Sequence, residues 1–446
     1  MNIRLPFIIV SVITLGVMYY LYKHHAPRKE IYVGVLFTTK GGLFAKYEKG
    51  QYDILMQCID IYNSSQKKYT IIPVYYNPEG HVENYKKYAQ QLVNDPRISV
   101  IFGCRLSSHK NAIKAILEKK DPLLLFPAQY EGEDCSKSIL YFGACPNQQV
   151  NIGIQYAIRN IHSNIVLIGS NTDFPKKANE ICKRYIKQMG ANLVDEMYFD
   201  LSFTNFQPVV QQIMKKAPDG CCIINTLRGE SNEYFYKALY EEFSKQKKNK
   251  EKLVSNYYKV MSFIVGDNEN QFMKPEHVYE TYGVWNYNQL DFDIGIYRKE
   301  YFPKDKKKIH PMLKNPAIRS LFNFITTTTQ IVGDTNYHVW LSFYYFAIFL
   351  EQYHGSLEPK EIRKEITKID YSFPSPLGLT KMKPNNHLSQ PVYILRVDKD
   401  KRYKRVYKSA GPIDPRPWLV PFSKVIYKCD NDHDFLGRKY EADIKK

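Results

Sequence analysis

Residues 99–130 read SVIFGCRLSSHKNAIKAILEKKDPLLLFPAQY. Ser99–Phe102 is a short apolar run ended by Gly103, the pattern of a strand buried on both faces. Ala112, Ile113, Ile116 and Leu117 lie on one helical stripe, and Ser107 and Ser108 stand where a helix N-cap belongs. Pro122 stops that helix, and Leu123–Phe126 form a second buried strand. The spacing therefore predicts a strand–helix–strand unit. It puts Ser107, Ser108 and the loop Pro127-Ala128-Gln129-Tyr130 at the carboxyl edge of one sheet, where open α/β folds bind small ligands. The two serines could equally do no more than cap the helix.

The same alternation runs along most of the 446 residues. Strands are expected at 31–37, 69–75, 165–169, 193–199, 221–225 and 259–265. Helices are expected at 44–62, 82–93, 175–189, 206–216 and 232–243. Such alternation predicts parallel sheets. It falls into two doubly wound units, and two such lobes with a cleft between them describe a hinged ligand-binding architecture. Beyond residue 291 the pattern is less regular. The aromatic-rich stretch 321–353 reads as one long buried helix, 361–369 as a short helix, and 393–397 with 403–407 as a β-hairpin.

Residues 5–22, LPFIIVSVITLGVMYYLY, are continuously apolar. At about 1.5 Å per residue they reach roughly 27 Å, enough for a bilayer core. Arg4 precedes the run, and Lys23, Arg28 and Lys29 follow it. No small-residue cleavage site is visible, so an uncleaved transmembrane signal anchor is expected. No other stretch is long and apolar enough to span. The remainder should be soluble and lie on one side of the membrane.

Apolar (44%) and charged (24%) contents are those of a globular chain, so disorder is not the default. The net charge of +18 is high. Its lysines are scattered in short groups and no nucleic-acid motif accompanies them, so nucleic acid is not an expected partner. The eight cysteines show neither a CxxC pair nor zinc spacing. Cys135 and Cys145 flank one loop and strand and could bridge in an oxidising compartment. No enzyme signature, phosphate loop or metal spacing stands out, so neither catalysis nor a cofactor is expected. Asp267 and Glu269 follow a strand end and could enter the cleft or cap the next segment.

Several ordered motifs resemble one family. Phe102-Gly103-Cys104 with Ser107-Ser108 is similar to a GC-x-x-S-S turn, and Pro127–Gly132 to a P-V-Q-Y-E-G loop. Gly143–Gln149 is similar to a G-A-A-P-N-Q-Q crossover, Val284–Tyr287 to A-W-N-Y, and Lys381–His387 to K-M-x-P-N-H-H. Together, from about Tyr32 to Trp418, they resemble the substrate-binding proteins of urea and short-chain-amide ABC transporters, with the type I periplasmic-binding fold.

The resemblance implies a non-catalytic, extracytoplasmic protein that closes two lobes on a small polar solute of the urea or short-chain-amide type and delivers it to an ABC permease. A ligand-binding sensor of the same fold, with a changed or lost specificity, is the alternative. The resemblance also implies a discontinuous division of the chain. Residues 1–30 form the anchor and linker, 31–148 with about 270–345 the first lobe, and 149–269 with about 346–446 the second. The ligand-binding residues implied are Ser107, Ser108, Gln129, Tyr130, Arg105, Phe126, Thr172, Phe174 and Thr226. Thr172 and Phe174 stand where the family has paired tyrosines, and Arg105 where it has an aromatic. These exchanges remove aromatic walls and add positive charge, which leaves open an anionic or larger ligand, or a decayed site, beside urea or an amide. Arg105 could also be a solvated loop cation.

Overall fold

The protein is described by a computed structural model covering residues 28–65, 68–120, 122–134, 136–247, 257–289, 301–366 and 372–417. The apolar run 5–22, Cys135 and Cys429 lie outside the described residues. Among the described residues no helix is long and apolar enough to cross a membrane.

The first half begins β1 Lys29–Leu36, α1 Ala45–Ser65, β2 Tyr69–Tyr76, α2 Val82–Asn94 and β3 Ile98–Gly103. It continues with α3 Ser107–Glu118, β4 Leu123–Phe126 and β5 Ile139–Tyr141. Its five strands form one parallel sheet in the order β2-β1-β3-β4-β5. Every residue of β3 and β4 is buried, because helices cover both faces and the strands are apolar throughout.

The second unit runs α4 Val150–Asn160, β6 Asn164–Ser170, α5 Asp173–Gln188, β7 Asn192–Phe199, α6 Gln207–Lys216, β8 Cys221–Thr226, α7 Ser231–Lys247 and β9 Tyr258–Ser262. The short helices α8 Asp267–Asn270 and α9 Pro275–Val278 lead to β10 Tyr282–Trp285. The chain then gives α10 Pro316–Thr327, α11 Asp334–Gln352, α12 Pro359–Ile366, β11 Ser372–Ser375, β12 Gly378–Met382 and β13 Leu388–Ser389. It ends with the hairpin β14 Tyr393–Val397 and β15 Tyr403–Lys408. The second sheet has seven strands in the order β15-β14-β10-β9-β8-β6-β7, parallel except for the hairpin at one edge.

Two expectations change. The single helix expected at 321–353 is two. The Thr326 and Thr327 hydroxyls donate back to the carbonyls of Phe322 and Asn323 as α10 ends, and Gly333 then caps α11. The lobe boundaries also shift. β10, expected in the first lobe, is hydrogen-bonded between β9 and β14 in the second sheet. Phe346–Leu350, Ile362, Phe373, Met382 and Leu388, expected in the second lobe, belong to the core that covers the first sheet. The reason lies in α11, which is buried on every side from Asp334 to Leu350 and whose apolar residues from Tyr337 to Leu350 lie in that core. Its Tyr337, Trp340 and Tyr344 rings stack in sequence at 5.4 and 4.7 Å, and Trp340 Nε1 donates to Leu321 O. A helix packed in this way cannot be divided between two bodies.

Candidate functional site

The carboxyl ends of β3, β6, β8 and β9 face one another between the two lobes. After β3 the chain turns sharply at Cys104, a non-glycine residue in the left-handed region (φ 65°), whose N–H donates to Leu36 O. The turn presents Arg105, and Leu106 then takes the N-cap position of α3. Ser107 is therefore the first helical residue and not the cap. Its Oγ is buried and has no hydrogen-bond partner. Ser108 is exposed.

On the opposite lobe, Thr172 is the N-cap of α5, yet its side chain makes no capping bond and its Oγ1 is buried without a partner. The turn after β8 carries Arg228, whose backbone N–H donates to Ser170 Oγ (2.9 Å). The Arg228 side chain is 5% exposed and lies 5.0 Å over the Phe174 ring. Among the described residues its guanidinium makes no ion pair and no hydrogen bond, and burial and the nearby Arg105 lower its pKa to about 10. The next residue, Gly229, has φ 67°, and a Cβ there would approach Phe44 of the first lobe at 3.1 Å. Only glycine allows that turn together with that approach.

Arg105 is paired where Arg228 is not. Its Nη2 donates to Glu269 Oε1 at 2.7 Å, with both side chains almost fully buried. The other Glu269 oxygen accepts the Gly266 N–H (3.0 Å), so Glu269 both caps α8 and reaches across the cleft. Arg105 Nη1 and Glu131 Oε2 are buried without partners. Asp267, close to Glu269 and Asp334, is pushed up to about 7, first by burial and then by those carboxylates.

The lobes meet at the cleft rim. Lys46 of α1 pairs with Glu230 (3.0 Å) and Glu233 (2.6 Å) of the second lobe, and the Tyr47 hydroxyl donates to Glu233 (2.9 Å). Phe44, Tyr47 and Leu106 form a small apolar cluster against Leu201. Lys177 of α5 pairs with Glu133 (3.0 Å). This is a closed arrangement.

The other expected site residues fall elsewhere. Gln129 does bridge the lobes, its Nε2 donating to Phe263 O at 3.3 Å. Phe126 and Tyr130 are core residues of the first lobe, not cleft walls. Tyr130 stacks on Tyr141 at 5.0 Å and its hydroxyl sits 2.6 Å from His387 Nε2. Phe174 is buried in the second lobe beneath Arg228. Thr226 Oγ1 is satisfied internally, donating to Ile168 O (2.9 Å) with Asn179 Oδ1 at 3.3 Å. The resemblance implies cleft groups from the turn Thr226-Leu227-Arg228-Gly229, and within it Arg228 rather than Thr226 reaches the cleft; Glu269, expected to enter the cleft or to cap, does both, and Glu131 is missing from the expected set. The available signal for Arg228 was a cation two residues after a fully buried strand, in a turn that ends in glycine.

The sequence matches the Periplasmic binding protein domain family over residues 31–424. The chain belongs to that family. Solved structures similar to this periplasmic binding protein include an ABC transporter solute-binding protein from R. palustris in complex with 4-hydroxybenzoate. The two are 18% identical with a TM-score of 0.66, covering 88% of this chain and 100% of that one. A solute-binding protein from Rhodopseudomonas palustris HaA2 in complex with p-hydroxybenzoic acid is 17% identical with a TM-score of 0.68, covering 89% and 100%. A branched-chain amino acid transporter substrate-binding protein from Streptococcus pneumoniae, in complex with isoleucine, is 14% identical with a TM-score of 0.64, covering 85% and 99%. At these identities the likeness establishes the fold.

Proposed function

We propose that this periplasmic binding protein captures a small carboxylate-bearing solute between its lobes and presents it, outside the cytoplasm, to an ABC permease. The single observation that carries this reading is the buried, unpaired guanidinium of Arg228. Glu131, Glu269 and Asp173 act on Arg228 from beyond ion-pair distance, and a ligand carboxylate placed directly beside the guanidinium supplies the ion pair they do not make. Ser107 Oγ and Thr172 Oγ1, both unpartnered, supply hydroxyls at the starts of α3 and α5, where helix dipoles favour negative charge. Glu131 Oε2 offers an acceptor for an amino or hydroxyl group on the same solute. A urea or simple amide is neutral and would leave Arg228 without a direct ion pair. The ligands named for the R. palustris and S. pneumoniae proteins, 4-hydroxybenzoate and isoleucine, both carry a carboxylate, which supports the reading. Residues 5–22 would tether the protein to the membrane.

Thermal unfolding against 4-hydroxybenzoate, benzoate, isoleucine, urea and acetamide tests the proposal, because a ligand of the folded state raises Tm in a concentration-dependent way. The expected result is a shift with at least one carboxylate and none with urea or acetamide. A shift with urea or acetamide alone would return the site to the amide class.

A further inference from the structure

Away from the cleft, the second lobe holds a half-open cavity of about 420 Å³. It lies between the last turns of α7, the first residues of β9 and the segment 275–281, with Lys399 of the β14–β15 turn at its rim. It occupies the end of β9 opposite to Glu269, and none of the cleft residues lines it. Its volume falls within the range of small-molecule sites.

The walls are aromatic and fixed. Phe243 and Tyr258 pack ring to ring at 5.7 Å, and the Tyr258 hydroxyl is held by Ala217 O at 2.6 Å. Val260 closes the floor as part of the lobe core. At the mouth, Tyr240 and Tyr279 are 37% and 50% exposed, so two large rings border an open space that neither fills. Tyr240 packs against His277 at 5.3 Å, and burial lowers the His277 pKa, so its imidazole is neutral near pH 7 and can donate or accept. Lys259 is neutralised by Glu280 at 3.1 Å. The remaining lining charges, Glu276 and Lys399, balance. Such a lining has rings to stack on and polar groups to orient a hydroxyl or amide, but no net charge to select an ion.

We propose that this cavity is a second ligand site, for a small neutral aromatic molecule, separate from the anion-selecting cleft. Fluorescence titration of the full chain with N-phenyl-1-naphthylamine, a neutral aromatic probe, tests it. The expected result is saturable, blue-shifted emission that Ser244→Trp abolishes by filling the cavity, that Tyr279→Ala weakens several-fold, and that Arg228→Ala leaves unchanged. Tyr279 is half exposed, so its variant folds and remains informative if Ser244→Trp does not. No saturable emission, or emission equal in Tyr279→Ala and the parent, would overturn the second site. Cleft binding of carboxylates is read separately by the Tm shift, so either proposal can fail without the other.

Discussion

Two buried polar clusters lie close together in this protein and are built on opposite terms. In the first lobe, Lys110 is fully buried and paired with Asp134, which also accepts from Lys114 (2.6 Å) and from the Tyr141 hydroxyl (2.9 Å). His387 stacks on Tyr141 at 4.2 Å. Its Nδ1 donates to Asn385 O, which leaves Nε2 to accept the Tyr130 hydroxyl. Lys110, Lys114, Asp134, Tyr130, Tyr141 and His387 each have a protein partner there. In the cleft, Arg105 Nη1, Ser107 Oγ, Thr172 Oγ1 and Glu131 Oε2 are buried and lack one, and among the described residues the Arg228 guanidinium makes neither an ion pair nor a hydrogen bond. A complete network holds a fold together. An incomplete one, kept buried at a cost, has room for a partner from outside.

The largest expected effect is in the complete network. Asp134→Ala strands Lys110 as an uncompensated buried charge and should cost about 3–5 kcal/mol of stability. Urea melts measure it. Carboxylate affinity, measured at a temperature where the variant is folded, should be unchanged. A stability loss below about 1 kcal/mol would mean that the network does not stabilise the lobe.

Arg228→Ala should behave in the opposite way. Removing a buried cation that lacks an ion pair relieves its burial cost, so stability should be unchanged or rise. It should weaken carboxylate binding by about 2–5 kcal/mol, which is roughly 30-fold or more in Kd. Calorimetry and melts on the same variant separate the two effects. If Arg228→Ala destabilises as Asp134→Ala does and binding is retained, the contrast between the clusters collapses.

Acid should separate the regions again. Burial holds Glu48, beside the cleft, up to about 7 against 4.5 for a free side chain, although Thr38 N–H (2.7 Å) and the Tyr85 hydroxyl (3.0 Å) both donate to it. Between those two values the folded chain keeps this proton and the unfolded chain releases it. The Glu48 contribution is therefore fully present below pH 4.5 and is lost as pH rises to 7, by about 3 kcal/mol. His387 runs the other way. Burial lowers it to about 4, so its contribution is lost as pH falls from 6.5 to 4. Melts of Glu48→Gln between pH 4.5 and 8 should show the variant gaining on the parent as pH rises. Parallel pH profiles would remove Glu48 from this account.

Much of the fold was legible because burial on both sheet faces forces uninterrupted apolar runs such as Val100–Phe102 and Leu123–Phe126, and turns punctuate them. The site was less so. Tyr130 and Arg228 each follow a buried strand at a carboxyl edge, and nothing local distinguishes a ring that turns into the core from a cation left in the cleft. That difference depends on His387, which meets the Tyr130 hydroxyl, and on Glu269, which Arg105 rather than Arg228 engages, both more than 35 residues distant in sequence. The lobe boundary failed for a similar reason, since α11 belongs to the first lobe through packing with α10 and α1 rather than through its own pattern.

The smallest expected effect is at the rim. Lys46 bridges α1 to Glu230 and Glu233, with its side chain 30% exposed, and lies over the Tyr47 and Phe272 rings. Such a pair is worth about 0–1 kcal/mol. It exists only when the lobes are together, so Lys46→Ala should act on closure and weaken affinity by less than about 5-fold with little change in the open protein. Salt shows whether it belongs with the rim or with the cleft. At 1 M ionic strength the screening length falls to about 3 Å, so the Lys46→Ala defect should vanish while the Arg228→Ala defect persists. A Lys46→Ala defect that survives high salt would place this lysine in the binding cluster itself, and the unpaired set in the cleft would have to be redrawn around it.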